Sequence, residues 1–354
     1  MPATTASAPA ACPAISTQPE FFPATAPVVQ SAKPAPLPDA RTYEPTPQGE
    51  LWCQTHPGQR ARFLQEMDAV IPWEALLALL QPFHPSHVIG RPRKHLELIL
   101  RCHVVGLLYN LAGEGLTDAL NDSEAFKRFI RLGQLESAVP EETTLRNLRY
   151  LIEKNDLAQK ILDVINDSLL SRGLKFSHGS LMDATIMQAS SSTKNQAQER
   201  DPEMGSTKKN NNWYFGLKIH VGEDAEANIT HTVKVTSASD SDVSQTDKLL
   251  RPTDTIAVGD KGYQGGETVG TKLYTPMKRG SVPEEVEAER RAYNRKTSSI
   301  RSKVEHGFRV IKCVFGWRKV RYRGLKKNET CFVTLFAFAN LYRNRKFLQA
   351  AMAA

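Results

Sequence analysis

Between residues 60 and 173 the apolar positions recur with a helical period. Phe63, Leu64, Met67, Val70 and Ile71 share one helix face that Pro72 interrupts, and Leu96, Ile99, Leu100, His103, Val104 and Leu107 mark a longer helix after Arg91-Pro92. Shorter helices are expected at about 116–121 and 124–131. Pro140-Glu141-Glu142 supplies an acidic, proline-led start for a helix through Leu145, Leu148, Leu151 and Ile152, and a last one over 157–170 stops at Gly173. No strand signal interrupts this stretch, so residues 51–175 read as one all-helical domain.

At Ser180 the period changes to two. Short β-rich runs occupy 180–187, 213–221, 228–236 and 255–259, with a helical pattern at about 244–250 and a further short strand at 272–274. From Pro283 onward the pattern is helical again, apart from a basic piece at 317–323. Three strands, a helix, a strand, a further strand and then helices describe a mixed α/β sheet over 176–350. That order fits a ribonuclease H-like fold with a basic helical C-terminus.

Composition adds a boundary. The first 48 residues hold 11 of the 21 prolines together with 11 alanines and few charges, so the segment cannot bury enough apolar area to offset its ordering entropy. Residues 1–50 read as a disordered Pro/Ala-rich tail, with a proline-rich partner ligand as the alternative. The five cysteines, at 12, 53, 102, 313 and 331, form no C-x-x-C pair, which suits a reducing cytosol and argues against a disulfide framework or a zinc knuckle. No apolar run is long enough to span a membrane and no secretory pattern leads the chain, so a cytoplasmic protein is expected.

Charge is regional. The chain carries 46 Lys and Arg against 38 Asp and Glu, yet residues 291–347 alone hold 16 basic and 2 acidic side chains. A cationic field of that kind is the footprint of a polyanion-binding surface.

Three acids stand out against this background. Asp183 lies inside an otherwise uncharged strand, and Asp260 ends the apolar run 255–259 before a Lys-Gly-Tyr turn. A carboxylate in a central strand is costly unless a cation or hydrogen bonds compensate it. The plain alternatives are a surface-facing strand residue for Asp183 and a turn residue for Asp260. Glu305 is almost alone in the basic field, on a helical stripe with Arg301, Phe308 and Lys312. Its plain alternative is an i, i+4 ion pair with Arg301. Against these stands the chemistry, because three carboxylates on different elements can hold two Mg²⁺ while neighbouring Arg and Lys grip phosphates.

The order of motifs resembles the DDE transposases of bacterial insertion sequences, and the IS-five family in particular. The likeness is carried by Asp183-Ala184-Thr185, Ser190-Ser191-Ser192-Thr193-Lys194-Asn195, Arg200-Asp201-Pro202-Glu203-Met204 and Trp213-Tyr214-Phe215-Gly216-Leu217-Lys218. Gly259-Asp260-Lys261-Gly262-Tyr263-Gln264-Gly265 and Arg301-x3-Glu305-x6-Lys312 continue it. Gly316-Trp317-Arg318-Lys319-Val320-Arg321-Tyr322-Arg323-Gly324 and Thr334-Leu335-Phe336-Ala337-Phe338-Ala339-Asn340 resemble the family's C-terminal end. Ile71-Pro72-Trp73, Gly90-Arg91-Pro92 and Pro140-Glu141-Glu142-Thr143-Thr144 are similar to its N-terminal region, so the likeness runs over roughly 63–348.

The resemblance implies that Asp183, Asp260 and Glu305 are the catalytic, metal-holding acids, and that Arg301 and Lys312 are the basic members of the Tyr-x2-Arg-x3-Glu-x6-Lys signature. The tyrosine of that signature is replaced by Ser298. It further implies two Mg²⁺ ions, with Mn²⁺ able to substitute, and cleavage of phosphodiester bonds at terminal inverted repeats followed by transfer of 3′-OH ends to target DNA. Double-stranded DNA and a homodimer within a synaptic complex are the expected partners, with the helical domain 51–175 expected to bind the DNA ends and the protein to be nucleoid-associated in a bacterial cytoplasm. Arg309, Arg318, Lys319, Arg321 and Arg323 join Arg301 and Lys312 as candidate DNA contacts. A transposase-derived DNA-binding regulator without catalysis is the alternative, suggested by the tail and by Ser298. A nuclease that hydrolyses without joining is the weaker third reading.

Other features carry two readings each. The Gly90-Arg91-Pro92-Arg93-Lys94 segment suits either a minor-groove arm or a plain loop leading into a helix. Residues 116–154 permit a helix-turn-helix, or else a packing subdomain or dimer contact. The 317–323 piece interleaves aromatic and basic residues, as phosphate gripping and base stacking require, with a solvated basic face as the alternative. Trp213 is expected in the core more than on a base, His220 as a satisfied core or edge histidine, and Asp240 and Asp242 as helix caps.

Overall fold

Proline sets the first boundary. The residue before a proline is driven out of the helical region, so α1 (Gln59–Val70) ends as Ile71 turns extended, and α2 (Trp73–Leu80) begins directly after Pro72. The computed structural model describes residues 58–84, 93–194, 198–280 and 287–353. The Pro/Ala-rich tail lies outside the described residues, as does the Gly90-Arg91-Pro92 core of the proposed arm. Lys94 at the edge of that arm is held by Glu136 at 2.8 Å.

The next helix, α3 (Leu96–Leu108), is apolar nearly all round and is correspondingly buried on every side. Its one guanidinium, Arg101, is fully buried but answered by Asp68 at 2.7 Å, Glu97 at 2.8 Å and the Phe129 carbonyl at 2.8 Å. It also lies 4.0 Å over the Trp73 ring. Four more helices follow, α4 (Glu114–Asp122), α5 (Glu124–Phe129), α6 (Glu142–Lys154) and α7 (Leu157–Ser171). The helix-turn-helix expectation fails here. Only Ser123 separates α4 from α5, and residues 130–141 separate α5 from α6, so neither connection is the three- to four-residue turn that motif needs. Leu116, Leu120, Phe126, Leu145 and Leu148 instead enter the core, which is the packing reading.

The chain then builds a six-stranded sheet from β1 (Gly179–Gln188), β2 (Gly205–Lys209), β3 (Asn212–Asp224), β4 (Thr230–Ser237), β5 (Ile256–Val258) and β6 (Lys272–Tyr274). β3 pairs antiparallel with β1 on one side and with β4 on the other, while β5 and β6 continue beyond β1 in parallel. β2 adds to β3 at residues 212–216, next to the stretch that β4 takes. An antiparallel β1, β3, β4 group followed by parallel β5 and β6 is the ribonuclease H-like arrangement expected above. β2 was illegible because Gly205-Ser206-Thr207-Lys208-Lys209 carries no large apolar side chain.

The helix expected at 244–250 is replaced by two 3₁₀ turns, Val243–Gln245 and Asp247–Leu249. The local hydroxyls explain this. Ser244 Oγ donates to the Ser241 carbonyl (2.7 Å) and Thr246 Oγ1 to the Val243 carbonyl (2.8 Å), offering the backbone an alternative to a regular helix.

After the sheet come α8 (Glu287–Arg309), which runs into a π-helical turn at Val310–Val314, and the long α9 (Leu325–Ala353). Asp201 and Glu203 accept from the Gly324 and Leu325 amides at 2.7 and 2.8 Å, placing negative charge where the helix dipole favours it. From Cys331 to Leu341 almost every α9 residue is buried, because the helix packs on α7, β4 and α1 together. Asn340 fixes its register. Its amide group donates to the Thr230 carbonyl (2.7 Å) and Asn166 Oδ1 (2.9 Å), and its oxygen accepts from Thr230 N (2.9 Å). One apolar core therefore runs through the helical region and the sheet, and Pro57–Ala354 is one compact unit. Among the described residues no helix is long and apolar enough to cross a membrane.

Candidate active site

Two of the three acids are brought level by strand register. Leu181 on β1 pairs in parallel with Val258 on β5, so two residues further along each chain stand Asp183 and Asp260. Adjacent strands lie about 4.8 Å apart, which sets these carboxyls side by side where β5 ends. Asp183 is only 8% exposed, on a strand flanked on both sides. Asp260 leads the 3₁₀ turn Lys261–Tyr263, its Oδ1 accepting from Gly262 N at 2.8 Å. The Tyr263 ring beneath anchors that turn, its hydroxyl 3.4 Å from His220 Nδ1.

The third acid comes from α8. Arg301 Nη1 donates to Asp183 Oδ2 at 3.0 Å, and its Nη2 lies 3.7 Å from Glu305 Oε1, so one guanidinium bridges both carboxylates. The Glu305 side chain is 60% exposed and open to solvent. Burial pushes the Asp183 carboxyl up to about 6, against the pull of Arg301 and the Ala184 amide and with the added repulsion of Asp260 and Glu305. That pattern of influence puts Asp260 and Glu305 each within electrostatic reach of Asp183. The plain reading of Asp183 as a surface residue falls away with its burial, while the i, i+4 pair of Glu305 with Arg301 is present beside the shorter Arg301–Asp183 contact.

Four other glutamates, at 284, 285, 287 and 289, precede Glu305 in this part of the sequence. Glu287 is tied to Arg290 and Arg291, Glu289 has no counterpart of the Arg and Lys stripe, and positions 284 and 285 lie outside the described residues. His220 is the satisfied core histidine expected, fully buried, with Nε2 2.9 Å from Thr236 Oγ1. Asp242 is a correction. It makes no side-chain cap and instead takes the Lys218 ammonium at 2.9 Å, while Asp240 offers Lys218 only its carbonyl. Lysine at 218 outcompetes the cap because it arrives from β3 with a full charge to neutralise.

Lys312 reaches the same strand as Asp183. From the π-helical turn its Nζ donates to Thr185 Oγ1 (2.6 Å) and to the Ile186 carbonyl (3.2 Å). Thr185, two residues after Asp183, faces the same side of β1, and the alternation of the strand was the signal that could have singled it out.

The "Transposase DDE domain" family matches residues 175–341, and the "Transposase domain (DUF772)" family matches residues 54–151. The chain belongs to the insertion-sequence DDE transposases. No solved structure matches it. In this transposase the DDE-domain match covers the sheet, and the second transposase match covers most of the helical region that precedes it.

As they stand, no three His, Cys, Asp or Glu side chains among the described residues close around a metal position. The donor set nevertheless fits a hard divalent cation, being all oxygen, crowded by like charge, and balanced here by the Arg301 guanidinium.

The basic segment of the transposase divides by function. Trp317 is buried, its Nε1 donating to the Leu107 carbonyl at 2.8 Å, so it cannot stack on a base and the interleaved-aromatic expectation is corrected there. Arg321 donates to the Asn110 carbonyl (2.6 Å) and lies 5.1 Å over the Trp317 ring, which ties the segment to the end of α3. Arg309, Arg318, Lys319 and Arg323 are exposed. Trp213 is the reverse correction, 70% exposed where a core position was expected. The unforeseen β2 hairpin carries the start of β3 out beyond the core.

Proposed function

We propose that this transposase, of the IS-five kind, binds the terminal inverted repeats of its element, cuts the phosphodiester bonds there and transfers the freed 3′-OH ends to target DNA. The observation that carries this reading is the bridging of Asp183 and Glu305 by Arg301, with Asp260 level with Asp183 at the end of the neighbouring strand, at the edge of a strongly cationic region. Asp183, Asp260 and Glu305 would hold two Mg²⁺ or Mn²⁺ ions. When bound, such ions lower the pKa of an attacking water or 3′-OH and neutralise the leaving oxygen.

The chain's own groups do the rest. Asp183 is fixed by a central strand and Asp260 by its turn, so two carboxylates are held rigidly while Glu305 approaches from a helix. Arg301 screens the repulsion among the acids before DNA arrives. Lys312, held beside Thr185, lies on the same face as Asp183 and grips a phosphate there, with Arg309, Arg318, Lys319 and Arg323 following the backbone on either side. Two ends must be joined, so a homodimer in a synaptic complex is the working unit.

The test is an end-joining assay. Purified protein is incubated with labelled DNA carrying the repeats that flank its gene, a supercoiled target and Mg²⁺. The reading expects nicks at the repeat boundary and labelled target molecules. Random hydrolysis without joined product would reassign the chain as a nuclease.

A further inference from the structure

An indole turned to water forfeits the apolar burial that normally places tryptophan in a core, and Trp213 is 70% exposed. It stands near the tip of the β2–β3 hairpin, whose turn residues Asn210 and Asn211 both have positive φ, 47° and 67°. A two-residue turn of that type matches strand twist and holds the tip in one register. In that register Lys208 is directly opposite Trp213, and Lys209 is opposite Asn212. An ammonium and an exposed indole are therefore neighbours on the same face of the hairpin.

The same face leads to the acids. Trp213, Phe215, Leu217, Ile219 and Val221 alternate onto one side of β3, and Val221 and Ile219 are the cross-strand partners of Asp183 and Thr185. Trp213 is eight residues from Val221, about 26 Å at strand rise, which is less than one turn of duplex DNA. Arg200 stacks on the intervening Phe215 ring at 5.3 Å. Lys209 lies close enough to Lys312 to add to the burial that lowers the latter's pKa. On the other flank of β1, Lys319 pairs with Gln188, the residue whose β3 partner is Gly216. One end of the sheet thus sets Lys208 beside a projecting aromatic ring, with Lys209 in electrostatic reach of Lys312 and Lys319 bridged to the end of β1.

We propose that the β2–β3 hairpin is a DNA-engaging finger, in which Trp213 stacks on an unpaired base of the bound end while Lys208 and Lys209 hold the flanking phosphates. This rests on the transposase reading above and deepens it. The charge complementarity is to a polyanion, and the aromatic adds a flat surface that every base can meet. Stacking of this kind tolerates any sequence, so the finger contributes hold more than recognition.

The experiment measures affinity for two fluorescent duplexes of the same element-end sequence, one blunt and one with a short single-stranded overhang. Wild type, Trp213→Ala and Trp213→Phe are compared, each first checked for an unchanged melting temperature and mass in solution. Trp213→Ala is expected to weaken overhang binding by roughly 5- to 150-fold, with blunt binding near wild type and Trp213→Phe recovering most of the loss. Equal affinities of wild type and Trp213→Ala on the overhang duplex would overturn the proposal, as would equal losses on both duplexes. A change of oligomeric mass in Trp213→Ala with DNA binding intact would assign the ring to a protein contact and overturn it too. Failure of the wild type to bind either duplex would instead bring down the transposase reading on which the finger rests.

Discussion

Arg301 Nη1 stands 3.0 Å from Asp183 Oδ2, a contact that ties the third acidic element to the central strand of the sheet. Without that guanidinium, a buried carboxyl would face two other carboxyls with only the Ala184 amide in support. The relationship explains how three like charges persist in one place in the folded chain, and it gives the first test.

Replacing Arg301 by Gln should destabilise the protein at pH 7.5 by about 1–3 kcal/mol, less than for a fully buried pair because the arginine is 23% exposed. The loss should shrink at pH 5, where the Asp183 carboxyl, already pushed up to about 6, becomes protonated and no longer needs a cation. Thermal melts at both pH values check this. An identical loss at both would mean that Arg301 supports the fold through packing and not through Asp183.

Acid stability follows from opposed shifts. Burial lowers His103, His220 and His231 to about 4, so the unfolded chain takes up protons that the fold refuses, and stability present above pH 6.5 is lost as pH falls toward 4. Asp183 is raised and acts in the other direction, since over the same window the fold binds a proton that the unfolded chain does not. Three histidines against one carboxyl leave a net fall. Asp183→Asn removes the opposing contribution, so its melting temperature should drop more steeply than wild type between pH 6.5 and 4, while being higher at neutral pH. Parallel pH profiles for the two proteins would contradict the assignment of a raised pKa to Asp183.

The basic segment should respond unevenly to substitution. Arg318→Ala and Lys319→Ala, at exposed positions, are each expected to reduce the slope of log affinity against log salt by about 1 with no change in melting temperature. Arg321→Ala should change the slope less and lower the melting temperature, because that side chain is spent on the Asn110 carbonyl and the Trp317 ring. Titrations at several salt concentrations, with melts in parallel, separate the two kinds of residue. Equal slopes for all three variants would remove the distinction.

Much of this was legible in the sequence where a single periodicity ruled. The helices through Leu96, Leu145 and Leu157 follow their apolar stripes, and the strand around Asp183 follows its alternation, because burial alone fixes them. Legibility failed where the deciding partner is distant in sequence. Trp317 looks like a surface residue amid cations until the Leu107 carbonyl is seen beneath it. Trp213 looks like core until β2, a strand with no large apolar side chain to announce it, pairs with its flank and carries it outward. Motif order singled out the three acids as candidates, but the sharing of Arg301 between Asp183 and Glu305 depends on how α8 crosses β1, which no local pattern encodes.

The central claim is that Asp183, Asp260 and Glu305 act together in metal-dependent DNA cutting, and the most direct test is cleavage of labelled element-end DNA in Mg²⁺ by Asp183→Asn, Asp260→Asn and Glu305→Gln, with end binding measured on the same preparations. Each change keeps side-chain size while removing a charge. The account predicts that all three lose cleavage, in Mg²⁺ and in Mn²⁺ alike, while binding stays near wild type, because the acids hold metal and not bases. Cleavage at the wild-type rate by any one of the three would remove that residue from the site and contradict the account.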